Sequence, residues 1–248
     1  MSTTLHAAWA RIGGGFSVPP TSRRVDPETL IEGTLGAAPR DPRLFWVAAG
    51  WLAVHHTLVN PRRLARRLAD ADEAILAVGG ALFSLARTHA AAPATQLDSI
   101  LRHCRPLQRP RALFDAMQEN PVLLAKVREG ALPEFARWGV WQDDVSLRMD
   151  AVRPVSWLLA HAPEFRSRAL FGANAEAEVL DLLLALPATV QDMAEILGMT
   201  YAAVHEAASR LVARGWLRRA REGRRQVLRV SEELRGWIEA FPGKAAAA

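Results

Sequence analysis

The chain has 248 residues, half of them apolar, with a net charge of +5 and a sequence pI near 10.5. That length supports one or two domains with buried cores, and the basic balance leans towards a polyanionic partner. Cys104 is the single cysteine, which excludes an intramolecular disulfide and argues against thiolate metal clusters. Of 31 basic residues only Lys126 and Lys244 are lysine. With the abundance of alanine, this arginine skew reads as a GC-rich coding bias, so the placement of charge says more than its total.

The opening stretch, MSTTLHAAWARIGGGFSVPP, has no basic segment followed by an apolar one, so no secretion signal is expected. The longest apolar run, Leu44 to Val54, has 11 residues and is too short to span a bilayer. The expectation is a soluble, cytoplasmic protein with no membrane partner. Residues 1–25 are rich in Gly, Pro, Ser and Thr and read as a flexible arm. GGGFS within it lacks the GK[ST] ending of a phosphate loop.

From 26 to 165 the signals are helical and predict an all-α domain of seven to nine helices. Helix starts recur as an Asx residue followed by Pro: DPETL at 26, DPRLF at 41, NPRRL at 60 and NPVLL at 120. An Asp or Asn at the N-cap accepts an orphan N–H, and Pro at N1 has its φ already set. Their intervals are irregular, which is capping chemistry and not a repeat.

Several features of this domain could carry function. His55 and His56 are adjacent, so on a helix they point about 100° apart and chelate poorly together; one is expected at the core edge and the other in solvent. Arg62, Arg63, Arg66 and Arg67 form a basic helical face, read as solvated or intersubunit, with auxiliary DNA or partner contact as the alternative. His103-Cys104 could sense redox state only through an intermolecular disulfide. Trp46, Trp51, Trp138, Trp141 and Trp157, with Phe45 and Phe135, are expected in the core, some of them able to line a small-molecule pocket. No Ser-His-Asp or paired-carboxylate arrangement stands out by spacing, and an enzyme is not expected. No metal site or cofactor is expected either. The domain is assigned to dimerisation, partner contact or the sensing of a small-molecule or protein effector.

After residue 165 the texture changes. Asn174 can cap a helix running to Leu186, with Val179, Leu180, Leu183 and Leu186 as its buried stripe. Thr189 caps a short second helix with Asp192 as its capping-box partner, and Gly198 closes that helix. Thr200 caps a third helix reaching about Ala213, where Gly215 ends it. WLRRAREGRRQVLRV reads as two strands around a turn at Glu222-Gly223. Ser231 caps a last helix with Leu234, Trp237, Ile238 and Phe241 along one side, a stripe that packs on its own domain or seals a dimer. The tail, 242–248, is expected to fray.

Helix, helix, tight turn, helix and β-hairpin is the order of a winged helix-turn-helix. Small Ala194, Gly198 four later and Val204 six after that suit two short helices crossing closely. TVQDMAEILGMTYAAVHEAASRLVARGWLRRAREGRRQVLRV resembles prokaryotic winged-helix transcriptional regulators of the broad MarR and ArsR type. The resemblance covers about residues 166–240 and leaves the N-terminal two-thirds unassigned. It implies a C-terminal domain, 166–241, that binds duplex DNA; with the helical signals before it, a mainly α protein is expected, working as a homodimer.

On the third helix, Val204, Ala207, Ala208, Leu211 and Val212 face inward at 100° per residue. The opposite face offers Ala202, Glu206 and Ser209, with His205 and Arg210 on its flanks and Thr200 and Tyr201 at its start. It is small and nearly neutral, so it can approach a major-groove floor, and Glu206 suits a cytosine amino group. From 210 to 229 there are eight arginines against Glu222 alone. The resemblance implies that the wing tip, Arg224 and Arg225 with Arg221, meets the minor groove or backbone, and Arg210, Arg218 and Arg219 extend the set of phosphate contacts. The alternative reading is a winged-helix scaffold or adaptor that binds a protein partner without DNA.

Overall fold

The structure, a computed structural model, describes residues 2–241; the expected tail, 242–248, lies outside the described residues. The chain divides into two units, Met1–Val155 and Ser156–Ala248. The first holds helices α1 (Ser2–Arg11), α2 (Pro27–Ala37), α3 (Pro42–His55), α4 (Pro61–Arg67), α5 (Glu73–His89) and α6 (Thr95–Leu101), then α7 (Asp115–Gln118), α8 (Pro121–Glu129) and α9 (Pro133–Ala136). The second holds α10 (Val155–His161), α11 (Arg166–Phe171), α12 (Ala175–Ala185), α13 (Val190–Leu197) and α14 (Tyr201–Ala213). Its hairpin and last helix follow. Nine α-helices start between residues 26 and 165, at the upper end of the expected number.

Capping follows the Asx-Pro pattern at three of its four sites. Asp26 accepts from the Thr29 N–H, Asn60 from that of Arg63, and Asn120 from those of Val122 and Leu123. Asp41 instead turns its carboxylate to His6 Nε2 at 2.7 Å. This residue ties the chain start to α3.

That tie belongs to the main departure from expectation at the N-terminus. Residues 2–11 form α1, not a loose arm, and Trp9 and Ile12 are fully buried. Trp9 Nε1 donates to Thr34 Oγ1 and Trp51 Nε1 to the Ile12 carbonyl, each at 2.8 Å. The Gly-rich stretch is a close-packed seam. A Cβ at Gly14 would sit 2.8 Å from Val47 Cγ1, and one at Gly15 would sit 2.6 Å from Ala151 Cβ. Glycine serves here for close approach, which composition cannot tell from flexibility.

The core of the first unit is the pairing of α3 with α5, where Leu44, Phe45, Trp51, Leu82 and Phe83 are buried. Trp138 lies across α5: its Nε1 donates to Ser84 Oγ at 2.9 Å. A Cβ on Gly80 would come within 2.3 Å of its ring. Trp46, Trp141 and Trp157 are only half-buried, and Trp157 belongs to the second unit. The unit is not purely helical. Strands β1 (Arg111–Ala112) and β2 (Val140–Trp141) form a two-residue parallel pair, too short to announce itself in sequence.

The histidine pair departs from expectation too, because both side chains are buried. His55 Nε2 lies 2.9 Å from the Arg153 carbonyl and His56 Nδ1 lies 3.3 Å from Gln96 Oε1. Burial lowers the pKa of His55 to about 4. Cys104 is equally structural: burial pushes its thiol up to about 12, so it stays protonated. On α4, Arg63 pairs with Asp26 and Arg67 with Glu32 of α2, so half of that basic face is an intradomain seam.

Two outcomes follow from this packing. Gly80→Ala forces its methyl into the Trp138 ring and should cost about 1–3 kcal/mol in urea unfolding; an unchanged midpoint would refute the seam. His55 stays neutral in the folded state down to about pH 4, yet protonates near 6.5 once unfolded. Stability is therefore whole above pH 6.5 and declines as pH falls towards 4, by about 3 kcal/mol from this group. His55→Asn should flatten that part of the stability–pH curve.

Candidate nucleic-acid interface

The second unit is built around one apolar core. Val179, Leu180 and Leu183 of α12 meet Met193 and Ala194 of α13 and Val204, Ala207 and Leu211 of α14, all of them buried. Leu186, expected in that stripe, lies past the end of the helix and is 45% exposed. Strands β3 (Leu217–Glu222) and β4 (Arg225–Val230) pair antiparallel, and Leu228 N donates to the Ala188 carbonyl at 2.9 Å. Helix α15 (Glu232–Ala240), capped by Ser231, adds Leu234 and Ile238 to the core. Trp237 stays 64% exposed and Phe241 half-buried, so the expected stripe is only partly used inside this unit. Arg166 Nε donates to the Leu159 carbonyl, which ties α11 to α10 and sets the unit's start before residue 165.

The turn between α13 and α14 is set by local chemistry. Thr189 Oγ1 accepts from the Asp192 N–H while the Asp192 carboxylate accepts from the Thr189 N–H, both at 3.1 Å. Hydrogen bonding to Thr189 holds the Asp192 carboxyl below its ordinary pKa. Gly198 is left-handed, at φ 59 and ψ 37, and the next N–H, of Met199, returns to the Ala194 carbonyl. Thr200 then caps α14 by accepting from Ala203 N.

Helix α14 presents the expected two faces. Val204, Ala207, Ala208 and Leu211 are buried, whereas Tyr201, Ala202, His205, Glu206, Arg210 and Ala213 are exposed. Tyr201 and His205 stack, their ring centroids 5.9 Å apart and 19° from parallel. These two, with Ser209, Arg219, Gln226 and Leu228, line a groove of about 270 Å³ between helix and hairpin. Gln226 carries no charge or motif, and only its register opposite Arg221 brings it there.

The structure divides the eight arginines into two groups. Arg210 Nε donates to Glu176 Oε1 at 2.6 Å and its Nη1 to Glu206 Oε1 at 2.5 Å, while Arg214 Nη1 meets Glu176 Oε2 at 2.5 Å. The bond to Glu176 raises the Arg210 pKa above its ordinary value. Arg229 pairs across the hairpin with Glu222. Arg210 and Glu206, an i,i+4 pair on α14, thus already hold each other. Arg218, Arg219, Arg221, Arg224 and Arg225 are exposed, and no ion pair within contact distance holds them among the described residues. The arginines held in no ion pair thus lie on the hairpin.

Glu176 is the residue that sequence reasoning missed. It stands in the first turn of α12, where an acid reads only as a partner for the helix dipole. Its link to Arg210 and Arg214 spans 34 and 38 residues.

The turn yields a direct test. Space around Gly198 is open, so a methyl there meets nothing within 4 Å, yet its positive φ disfavours any L side chain. Gly198→Ala should therefore destabilise by about 1 kcal/mol in denaturant unfolding. A neutral result would show that the backbone can turn without glycine.

No curated protein and no solved structure matches the chain. Residues 173–226, from the cap of α12 to the start of β4, match the model of the MarR family. Over that segment, and not beyond it, the chain is similar to the MarR family, and the fold there is a winged helix.

Proposed function

We propose that the protein is a sequence-specific regulator of transcription that binds duplex DNA through its C-terminal unit. The MarR family is one of DNA-binding transcription regulators. Helix α14 enters the major groove, where Tyr201, Ala202, His205 and Ser209 face base edges. Arg218, Arg219, Arg221, Arg224 and Arg225 hold phosphates and reach the minor groove. Two copies paired about a two-fold axis would set two reading helices on successive major-groove faces.

The observation that carries this reading is the division of charge within one small unit. Glu176 and Glu206 occupy the cations at the end of the reading helix, while five hairpin arginines are left exposed. Affinity that is blind to sequence comes from phosphates, and discrimination comes from a neutral face small enough to fit a groove. Arg210 and Glu206 belong to this scheme as a pair that fixes the helix surface, not as independent base contacts.

Fluorescence anisotropy on a duplex across a salt series tests it. A steep negative slope of log K against log salt is expected, and Arg224→Ala with Arg225→Ala should lower that slope by about 2. His205→Ala should change the preferred sequence in a selection from random duplexes while keeping the slope. Absence of binding at low salt would overturn the reading.

A further inference from the structure

Basic charge also collects outside the winged helix. Residues 1–155 hold 19 Arg and Lys against 15 Asp and Glu, so most of the chain's net charge lies in the first unit. Between Asp98 and Asp115 there are four arginines and no carboxylate. Arg111 pairs with Asp115 at 3.4 Å, which leaves Arg102, Arg105 and Arg109. All three are exposed and make no ion pair among the described residues.

The segment that carries them is a loop pinned from several sides. Cys104 is buried beside Gly79 of α5, and its S–H points to the Ile100 carbonyl at 3.8 Å. Leu107 N donates to the Trp138 carbonyl at 3.0 Å, Gln108 N to the Glu73 carboxylate, and Arg111 N to the Gly139 carbonyl at 3.2 Å. Gly139, at φ 69, lets the loop pass: a Cβ there would lie 2.7 Å from the Leu107 carbonyl. Inward Cys104 and half-buried Leu107 thus alternate with outward Arg102, Arg105 and Arg109. A backbone held at several points gives up little entropy when a polyanion binds the exposed arginines it carries.

We propose that the 102–109 loop is a second phosphate-binding surface, through which the N-terminal unit engages the backbone of duplex DNA without reading sequence. The inference rests on the reading of duplex DNA as the partner, but not on the wing. An acidic protein segment is the competing occupant. DNA is favoured because three arginines lead the loop's exposed side chains, beside His103, Pro106 and Gln108, while Cys104 is buried and Leu107 half-buried, so no large apolar anchor of the kind that gives protein interfaces their affinity is presented.

The test uses the full chain and a duplex of arbitrary sequence, with binding measured across a salt series. Arg102→Ala, Arg105→Ala and Arg109→Ala together should lower the salt slope by about 2–3, and lysine at all three positions should preserve it. Circular dichroism and unchanged urea midpoints would show that the variants fold. Wing and loop variants combined should lower the slope additively. If the loop variant keeps the wild-type slope, the proposal is overturned, whatever the wing does. It is equally overturned if that variant loses affinity for polyglutamate while DNA binding is intact. If the loop variant lowers the slope and the wing variant does not, the loop stands and the winged-helix reading fails.

Discussion

The carboxylate of Glu176 is the point on which the candidate interface turns. One group at the start of α12 accepts from guanidinium groups of both Arg210 and Arg214, at the far end of α14. Charge-assisted bonds of this kind are directional as well as strong, so they fix helix rotation as well as separation. The apolar contacts of Val204, Ala207 and Leu211 would let α14 slide or roll by small amounts; two bonds to one carboxylate do not. It stands in the first turn of α12, where the positive end of the helix dipole suits an acidic side chain. A second pair, this one buried, Arg168 with Glu178 at 2.7 Å, joins α11 to the same helix two residues on. Helix α12 is therefore the electrostatic spine of the unit as well as part of its apolar core.

This arrangement decides where positive charge is left. From residue 156 to the end, 12 basic residues face 11 acidic ones, so the unit is nearly neutral in total. Acids dominate α12 and α13, while bases dominate the end of α14 and the hairpin. A unit with small net charge but strong separation has little long-range pull and a well-defined direction of approach. The Arg229–Glu222 pair refines that direction, because it ties up one arginine of β4 and leaves those of β3 and the turn, with Arg225, exposed.

Much of the C-terminal unit was legible in the sequence because its information is local. Thr189 with Asp192, Gly198, Thr200, Gly223 and Ser231 each act within four residues, and all five sit where capping and turn chemistry puts them. The inward face of α14 followed from periodicity alone. What periodicity could not supply were the long-range pairings: Glu176 with Arg210 and Arg214, Gln226 beside the groove, and His55 under the Arg153 carbonyl. Leu186 was misplaced for a related reason, since a helix ending at Ala185 removes the next position from the wheel. The glycines at 13–15 show the opposite ambiguity. The same residue type marks a loose arm or a seam too tight for a Cβ, and only Trp9 nearby hinted at the second.

The two units handle charge by different means. In the C-terminal unit, buried and half-buried carboxylates select which arginines remain exposed, and the hairpin that carries them is a two-strand element with solvent on both sides near its tip. In the N-terminal unit the surplus arginines ride on a loop held by main-chain bonds to Trp138, Gly139 and Glu73. A hairpin tip can adapt to a groove, whereas a pinned loop can meet only a surface whose charges are already suitably spaced. Regular phosphate spacing is such a surface, and a fixed set of cations gains from it without any base being read. Under the proposed function, adaptable charge next to α14 and rigid charge far from it in sequence would be complementary: the first would tune contact at a chosen site, and the second would add affinity that is the same at every site.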